Sequence, residues 1–300
     1  PFKRYQLGTV WRNEKPGPGR FKEFIQFDAD YIGTNNLLAD AELCILMSEI
    51  LKKCGLTEKD FKIKIFNRKI MDDLLNNLGL EKKYKKEDEI EKIKLKILKF
   101  LDKIDRLGEQ EVFKLLGKGR KDKSGDFTEG AQLNDDQISI IEKFLSDLKV
   151  AKSKTLKEAG LTVKDDLEDD SAEADIYREE IKGTDEENYI YFDSVFNDRK
   201  GIPTEGLNEL QQIKEIFGRA GFKNYIIDPT VVRGLEYYTG IVFEAELTFD
   251  VKNNQGKIIQ FGSVGGGGRY DNLTKRFNKN LDFPATGISI GVDRLSYAIT

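Results

Sequence analysis

Not one histidine occurs among the 300 residues of this chain. Chemistry confined to these residues therefore has no imidazole to serve as general base, nucleophile or metal ligand. Cysteine is almost as scarce, with Cys44 and Cys54 the whole complement. Two thiols cannot build a disulfide framework or a four-ligand zinc site, and the low count suits a reducing compartment. No run of about 18 apolar residues exists, so no membrane span is expected. A basic-then-apolar signal segment is missing from the start as well. The net charge of −4 offers no bulk attraction to nucleic acid.

What remains is 39% hydrophobic and 34% charged, the profile of a soluble globular chain with a heavily charged surface. Chemistry here must run on arginine, carboxylates, amides, backbone groups or a carboxylate-held metal. Phosphoryl and nucleotidyl transfer suit that inventory, because they depend mainly on positioning and charge stabilisation. The chain opens on Pro1 with a strand pattern already under way, as expected of a piece of a longer protein.

Tyr5 to Arg12 and Arg20 to Tyr31 read as strands joined by the Pro/Gly-rich loop from Asn13 to Gly19, an antiparallel hairpin. Asp40 to Cys54 has helical spacing, with Leu43, Leu46, Met47, Ile50 and Leu51 on one face. Phe61 to Phe66 alternates like a strand. From about Ile70 to Glu205 the character changes to helical stripes. Ile93, Ile97, Leu98, Leu101 and Ile104 form one, and Ile138, Ile141, Leu145 and Leu148 another. Gly117 to Gly130 reads as a loop without the Gly-Lys-Ser/Thr ending of a phosphate-binding loop. Lys82 to Lys99 and Asp165 to Asp175 read as solvated charge. Leu207 to Ala220 is helical again, stopped by Gly221. Strands are expected at Tyr237 to Leu247, Ile258 to Ser263 and Thr286 to Ile290, then a closing helix from Gly291 to Ile299. Little βαβ alternation is visible. The fold class is therefore α+β, a largely antiparallel sheet interrupted by a helical insert. The domains follow as 1–69 and 206–300 for the core, with 70–205 as the insertion.

Three segments carry chemistry. Arg233-Gly234-Leu235-Glu236-Tyr237-Tyr238-Thr239-Gly240 is followed by Val264-Gly265-Gly266-Gly267-Gly268-Arg269-Tyr270-Asp271. Glycine lets a backbone approach a ligand closely, and arginine offers a planar fork to carboxylate or phosphate. A pocket for a small polar molecule and an anion is implied. Alternation along the second strand puts Arg20, Lys22, Phe24, Gln26, Asp28 and Asp30 on one face. Its plain reading is a solvated face, but Phe24 in that polar row suits stacking on a planar heterocycle. Third, Phe283 to Leu295 runs from a strand into a helix that opens on Asp293 and Arg294.

These segments resemble class II aminoacyl-tRNA synthetases. Arg12 with Gly19-Arg20-Phe21-x-x-Phe24-x-Gln26 is similar to that class's motif 2, and Gly287 to Leu295 to its motif 3. Arg233 to Tyr238 and Gly266 to Asp271 resemble the two signatures of the histidyl-tRNA synthetase family. The resemblance implies a class II synthetase sheet and a histidine–tRNA ligase. Such an enzyme joins histidine and ATP into histidyl-adenylate, then passes the histidyl group to tRNA(His). It implies Mg²⁺, a cytoplasmic homodimer and no membrane partner. Catalysis would rest on Arg233 and Arg12. ATP would lie against Arg12, Glu14, Arg20, Phe24, Gly291 and Arg294. Histidine would be held by Gln26, Asp30, Arg233, Tyr238, Gly266, Gly267 and Tyr270. Glu236 and Glu244 are the carboxylates to consider for the metal. The family's motif 1 and anticodon-binding domain have no match, so a partial catalytic region is expected. The rival implication is a non-catalytic relative: a regulatory subunit of histidine biosynthesis or a tRNA-sensing module. Retention of Arg12, Arg20, Arg233 and Arg294 favours the enzyme.

Overall fold

The computed structural model describes residues 1–13, 15–121, 125–158, 205–228, 231, 237–253, 255–259, 261–271, 273–278 and 280–300. The chain divides into two compact units. Pro1–Arg68, Asn208–Ile226 and Tyr237–Thr300 form the first, and Lys69–Leu207 with Ile227–Glu236 the second.

The first unit opens with the hairpin β1 (Phe2–Trp11) and β2 (Glu23–Ile32). Helix α1 (Leu37–Lys53) follows. Asn36 caps its start by accepting a hydrogen bond from the Leu38 N–H at 2.9 Å, and Lys52 and Lys53 sit at its negative end. Strand β3 spans Phe61–Asn67.

The second unit carries α2 (Arg68–Asn76, its first residue belonging to the first unit), a 3-10 turn at Leu80–Lys82 and α3 (Glu87–Leu101). Then come α4 (Ile104–Leu107), α5 (Glu109–Leu116) and α6 (Asp135–Glu158). Two details differ from the sequence reading. The segment from Gly117 to Gly130 is not a plain loop but contains the hairpin β4 (Gly119–Lys121) and β5 (Phe127–Glu129). The stripe ending at Ile104 is broken, because α3 stops at Leu101 and Ile104 opens the next helix. In α6, Ile141 and Phe144 are buried while Leu145 is only half-buried. The bulkier aromatic takes the core position.

The chain returns through α7 (Glu205–Ala220), β6 (Tyr225–Ile227) and β7 (Ile241–Leu247). Gly221, at φ 69°, takes the left-handed turn that ends α7. Its Phe217 ring then packs on Tyr225 with centroids 4.7 Å apart. A short hairpin of β8 (Val251–Lys252) and β9 (Ile258–Ile259) leads to β10 (Ser263–Arg269). After α8 (Leu273–Phe277) come β11 (Ala285–Gly291) and α9 (Val292–Ile299).

Seven strands form one sheet in the order β1-β2-β11-β10-β7-β3-β6. The pairings from β1 through to β3 are all antiparallel, as the α+β reading expects. Helix α1 covers one face with Leu43, Met47 and Leu51, each fully buried, against Phe243, Ala245, Ile288 and Ile290. Each such apolar side chain contributes roughly 1.5–3 kcal/mol by leaving water. That packing fixes which face of β2, β10 and β11 stays open for polar residues.

The glycine run departs from expectation. Val264 to Gly268 lies inside β10, flanked on both sides by strands. Six of the seven residues of this strand lack β-branching or an aromatic ring, so propensity hides it.

Candidate active site

Strand β2 supplies the floor. Its register places Gly291 opposite Gln26, Ser289 opposite Asp28 and Gly287 opposite Asp30. On β10, Gly266 stands opposite Ser289 and Gly268 opposite Gly287. Glu244 and Val242 of β7 extend those two rows. Small residues thus occupy the centre of the open face, and longer polar side chains flank it. The clearance is tight. A Cβ on Gly287 would sit 2.2 Å from Asp30 Oδ1, and one on Gly268 would sit 3.0 Å from the Tyr238 ring.

The polar groups of this face are already linked. Gln26 Nε2 donates to Asp28 Oδ1 at 2.7 Å, and Ser289 Oγ donates to the same oxygen at 2.5 Å. Arg12 Nη2 donates to Gln26 Oε1 at 3.2 Å, while its guanidinium lies 5.1 Å from the Phe24 ring centroid. The row predicted from alternation is therefore a connected network reaching from the hairpin loop to the third strand.

At the other end Tyr270 donates its hydroxyl to Asp30 Oδ1 at 2.6 Å. Burial pushes the Asp30 carboxyl up. The Tyr270 hydrogen bond and the charge of Arg4, its partner across the hairpin, pull it down, and neighbouring Asp28 raises it again. Burial, followed by Asp30, drives the Tyr270 phenol far above its ordinary value. Tyr238 is likewise raised by burial and then by Tyr237. Both phenols therefore stay protonated and serve as neutral donors. The Tyr237 and Tyr238 rings lie 4.3 Å apart.

The closing strand and helix fasten the floor to the loops. Asp293 Oδ2 accepts the Ile25 N–H at 2.6 Å. Arg294 donates Nε to Ser263 O at 2.8 Å, Nη1 to Gly19 O at 3.2 Å, and Nη2 to Phe261 O. Its guanidinium also stacks 4.1 Å from the Phe261 ring centroid. Gly19 sits at φ 61°, where a Cβ would lie 2.6 Å from that ring. An Arg294 that engages a terminal phosphate must exchange at least part of this carbonyl cage. Arg20 is exposed at the hairpin tip, where its backbone pairs with Gly17.

The structure thus brings Arg12, Phe24, Gln26, Asp30, Tyr238, Gly266 and Tyr270 to one face of one sheet, with Gly291 at the end of β11. Gly267 is turned the other way. A Cβ there would meet Gly287 O at 2.1 Å and the Phe243 ring at 2.8 Å, on the side covered by α1. Gly268, the next residue of the run, faces the site. Arg233, Glu14 and Glu236 lie outside the described residues. Asp28, placed in the polar row by alternation, and Gly287 and Ser289, within the segment similar to motif 3, also lie on this face, although no role was assigned to them. Register alone could have singled them out, since each sits across from or beside a chosen residue of β2.

Comparison with known proteins bears on the chain as a whole. The family model described as histidyl-tRNA synthetase matches residues 2–121 and 127–295. Histidine–tRNA ligase of Bartonella quintana is 43% identical over 300 residues, covering 100% of this chain and 52% of the relative. That of Jannaschia sp. is 42% identical over 301 residues, again covering 52% of the relative. The chain thus spans about half the length of the curated relatives it matches. The solved histidyl-tRNA synthetase of Nostoc sp. PCC 7120 superposes with a TM-score of 0.63 at 24% identity, over 99% of this chain and 53% of that one. A Bacillus halodurans structure described as an ATP phosphoribosyltransferase regulatory subunit/histidyl-tRNA synthetase gives 0.60 at 21% identity. An antiparallel sheet with this polar face, matched by the family model along nearly its whole length, places the chain in the histidyl-tRNA synthetase family.

Proposed function

We propose that this chain is the catalytic region of a histidine–tRNA ligase, activating histidine with ATP and then charging tRNA(His). The observation that carries the reading is the continuous polar face from Arg12 through Gln26 and Asp28, with Asp30 held by Tyr270 at its far end. Ionised Asp30 would receive the α-ammonium of histidine, Gln26 would contact the amino acid, and the neutral phenols of Tyr238 and Tyr270 would read the imidazole. Gly266 and Gly268 would leave room for the ligand, with Gly267 supporting the strand from behind. ATP would lie toward Arg12, Arg20, Phe24 and Arg294.

The reaction needs no protein base. A carboxylate oxygen of histidine attacks the α-phosphorus, the bond to the bridging β-phosphate oxygen breaks, and pyrophosphate leaves with the electron pair. The barrier comes from bringing two anions together, so fixed cations do the main work. Arg12 and Arg233 would supply them, which fits a chain without histidine. Among the described residues no group of three or more Asp, Glu or Cys side chains is placed to hold a metal. Mg²⁺ commonly binds through substrate phosphates with one or two carboxylates, and Glu244 on the Gly266 row fits that modest need. Bound there, the ion would neutralise phosphate charge.

A homodimeric parent is supported by the edge strand β1, whose Phe2, Tyr5, Leu7 and Trp11 are 64%, 79%, 64% and 69% exposed. An unpaired edge this apolar is usually covered. A cytoplasmic setting is supported by the unpaired thiols Cys44 and Cys54. ATP–pyrophosphate exchange measured with each amino acid in turn tests the central claim. Exchange with histidine alone is expected. Intact folding with no exchange for any amino acid would transfer the chain to the regulatory or tRNA-sensing relatives.

A further inference from the structure

We infer that Arg269, buried behind the floor, is the positioning residue on which both pocket tyrosines depend. The inference rests on the amino-acid-binding reading of that face. Arg269 ends β10 with its side chain on the α1 side, the same side as Gly265 and Gly267. It is 3% exposed, and its partner Asp40 in the first turn of α1 is 0% exposed. Nε donates to Asp40 Oδ2 at 3.2 Å and Nη2 to the same oxygen. Nη1 donates to Thr34 O at 3.0 Å and to Asp271 Oδ1 at 3.2 Å, and Nη2 also reaches Asn36 O at 3.4 Å. One guanidinium therefore joins the start of α1 to the end of β10.

The two tyrosine-bearing segments are attached to that joint. The Thr239 N–H donates to Arg269 O at 2.8 Å. Thr239 Oγ1 donates to Asp271 Oδ2 at 3.1 Å and lies the same distance from the Asp271 N–H. Gly240 lies against the arginine stem, where a Cβ would sit 3.1 Å from Arg269 Cδ. Tyr238 thus precedes the residue bonded to Arg269, and Tyr270 follows Arg269 directly. Alternation turns Tyr270 to the open face, where it meets Asp30. A planar fork is required for this set of acceptors, and a lysine ammonium would satisfy only part of it. Groups that orient binding residues from behind govern affinity for the ligand those residues contact, because small displacements propagate to the site.

The test uses the natural protein that carries these residues. Histidine and ATP binding are each measured alone by calorimetry, beside their KM values in pyrophosphate exchange, for Arg269→Lys and Asp271→Asn. The expected result for Arg269→Lys is a loss of about tenfold or more in histidine affinity with a change under about twofold for ATP, the thermal transition staying cooperative. The double variant should lose no more than the worse single one, because both act through one joint. Equal losses for both ligands, or unchanged histidine affinity, would overturn the inference. Should Arg269→Lys fail to fold, Asp271→Asn decides, since that carboxylate is 33% exposed and its removal leaves the Asp40 pair in place. Histidine-selective weakening in that variant supports the positioning role, and unchanged histidine binding overturns it. Wild-type protein that binds ATP but not histidine would instead overturn the reading of the site, and the inference with it.

Discussion

Tyr270 donates its hydroxyl to Asp30 Oδ1 across 2.6 Å, joining the first residue after β10 to strand β2. The bond crosses 240 positions of sequence. It fixes the place of the phenol and favours the charged carboxylate, against the burial that raises its pKa. Tyr270→Phe keeps the ring but removes one of the interactions that lower the Asp30 pKa. Asp30 must then titrate higher. The acid limb of kcat/KM for histidine should move to higher pH, since in the proposed site the ionised form would receive the ammonium. Histidine affinity should fall by about ten- to a hundredfold, the range of a hydrogen bond to a charged group. A pH profile that superposes on wild type would remove Asp30 from the amino-acid site.

Gly266 and Gly267 are neighbours with opposite duties, and alanine separates them. At Gly267 a methyl would stand 2.1 Å from Gly287 O and 2.8 Å from the Phe243 ring, both buried and inflexible. Gly267→Ala should cost about 1–3 kcal/mol, as overpacking does, seen as a lower urea midpoint at an unchanged slope. At Gly266 the nearest groups are Phe243 O at 3.1 Å and Glu244 Cγ at 3.4 Å. Gly266→Ala should keep most of the stability while narrowing the open face and weakening histidine binding. The reverse ranking of stabilities would place Gly267, not Gly266, on the site.

The physical legibility of the chain follows the same division. Helix α1 and strand β2 show in the sequence because one-sided burial forces a period on them, 3.6 residues for Leu43, Met47 and Leu51 and two for Gln26, Asp28 and Asp30. Strand β10 does not show, because its glycines answer to clearance on both faces and carry no hydrophobic rhythm. Arg269 reads as a free cation beside a glycine run, fit for a ligand's carboxylate. In the fold its carboxylates are Asp40 and Asp271. Asp40 is indistinguishable in sequence from any acidic residue in a first helical turn, and it lies 229 positions away. Pattern reveals local elements and motif residues. It is blind to which distant group a buried charge meets, and that partner decides between binding and support.

The second unit carries a carboxylate whose titration will show in stability. Asp73 of α2 has its pKa raised from 3.8 to about 6, first by burial, then by the nearby charges of Asp72 and Glu205, with Lys69 opposing. In the unfolded chain the group titrates near 3.8. Between about pH 4 and pH 6 the native state therefore holds the proton more tightly than the unfolded state, and this group's contribution to stability declines as pH rises through that window. Above it, the folded protein keeps a destabilising carboxylate. Asp73→Asn, which holds the neutral form at every pH, should raise the thermal midpoint near neutral pH and leave it almost unchanged near pH 4. The comparison requires urea or thermal melts of both proteins across the window, read as the difference between them so that other titrations cancel. A difference that stays constant with pH, or a variant less stable than wild type at neutral pH, would show that Asp73 is ionised and well satisfied in the fold.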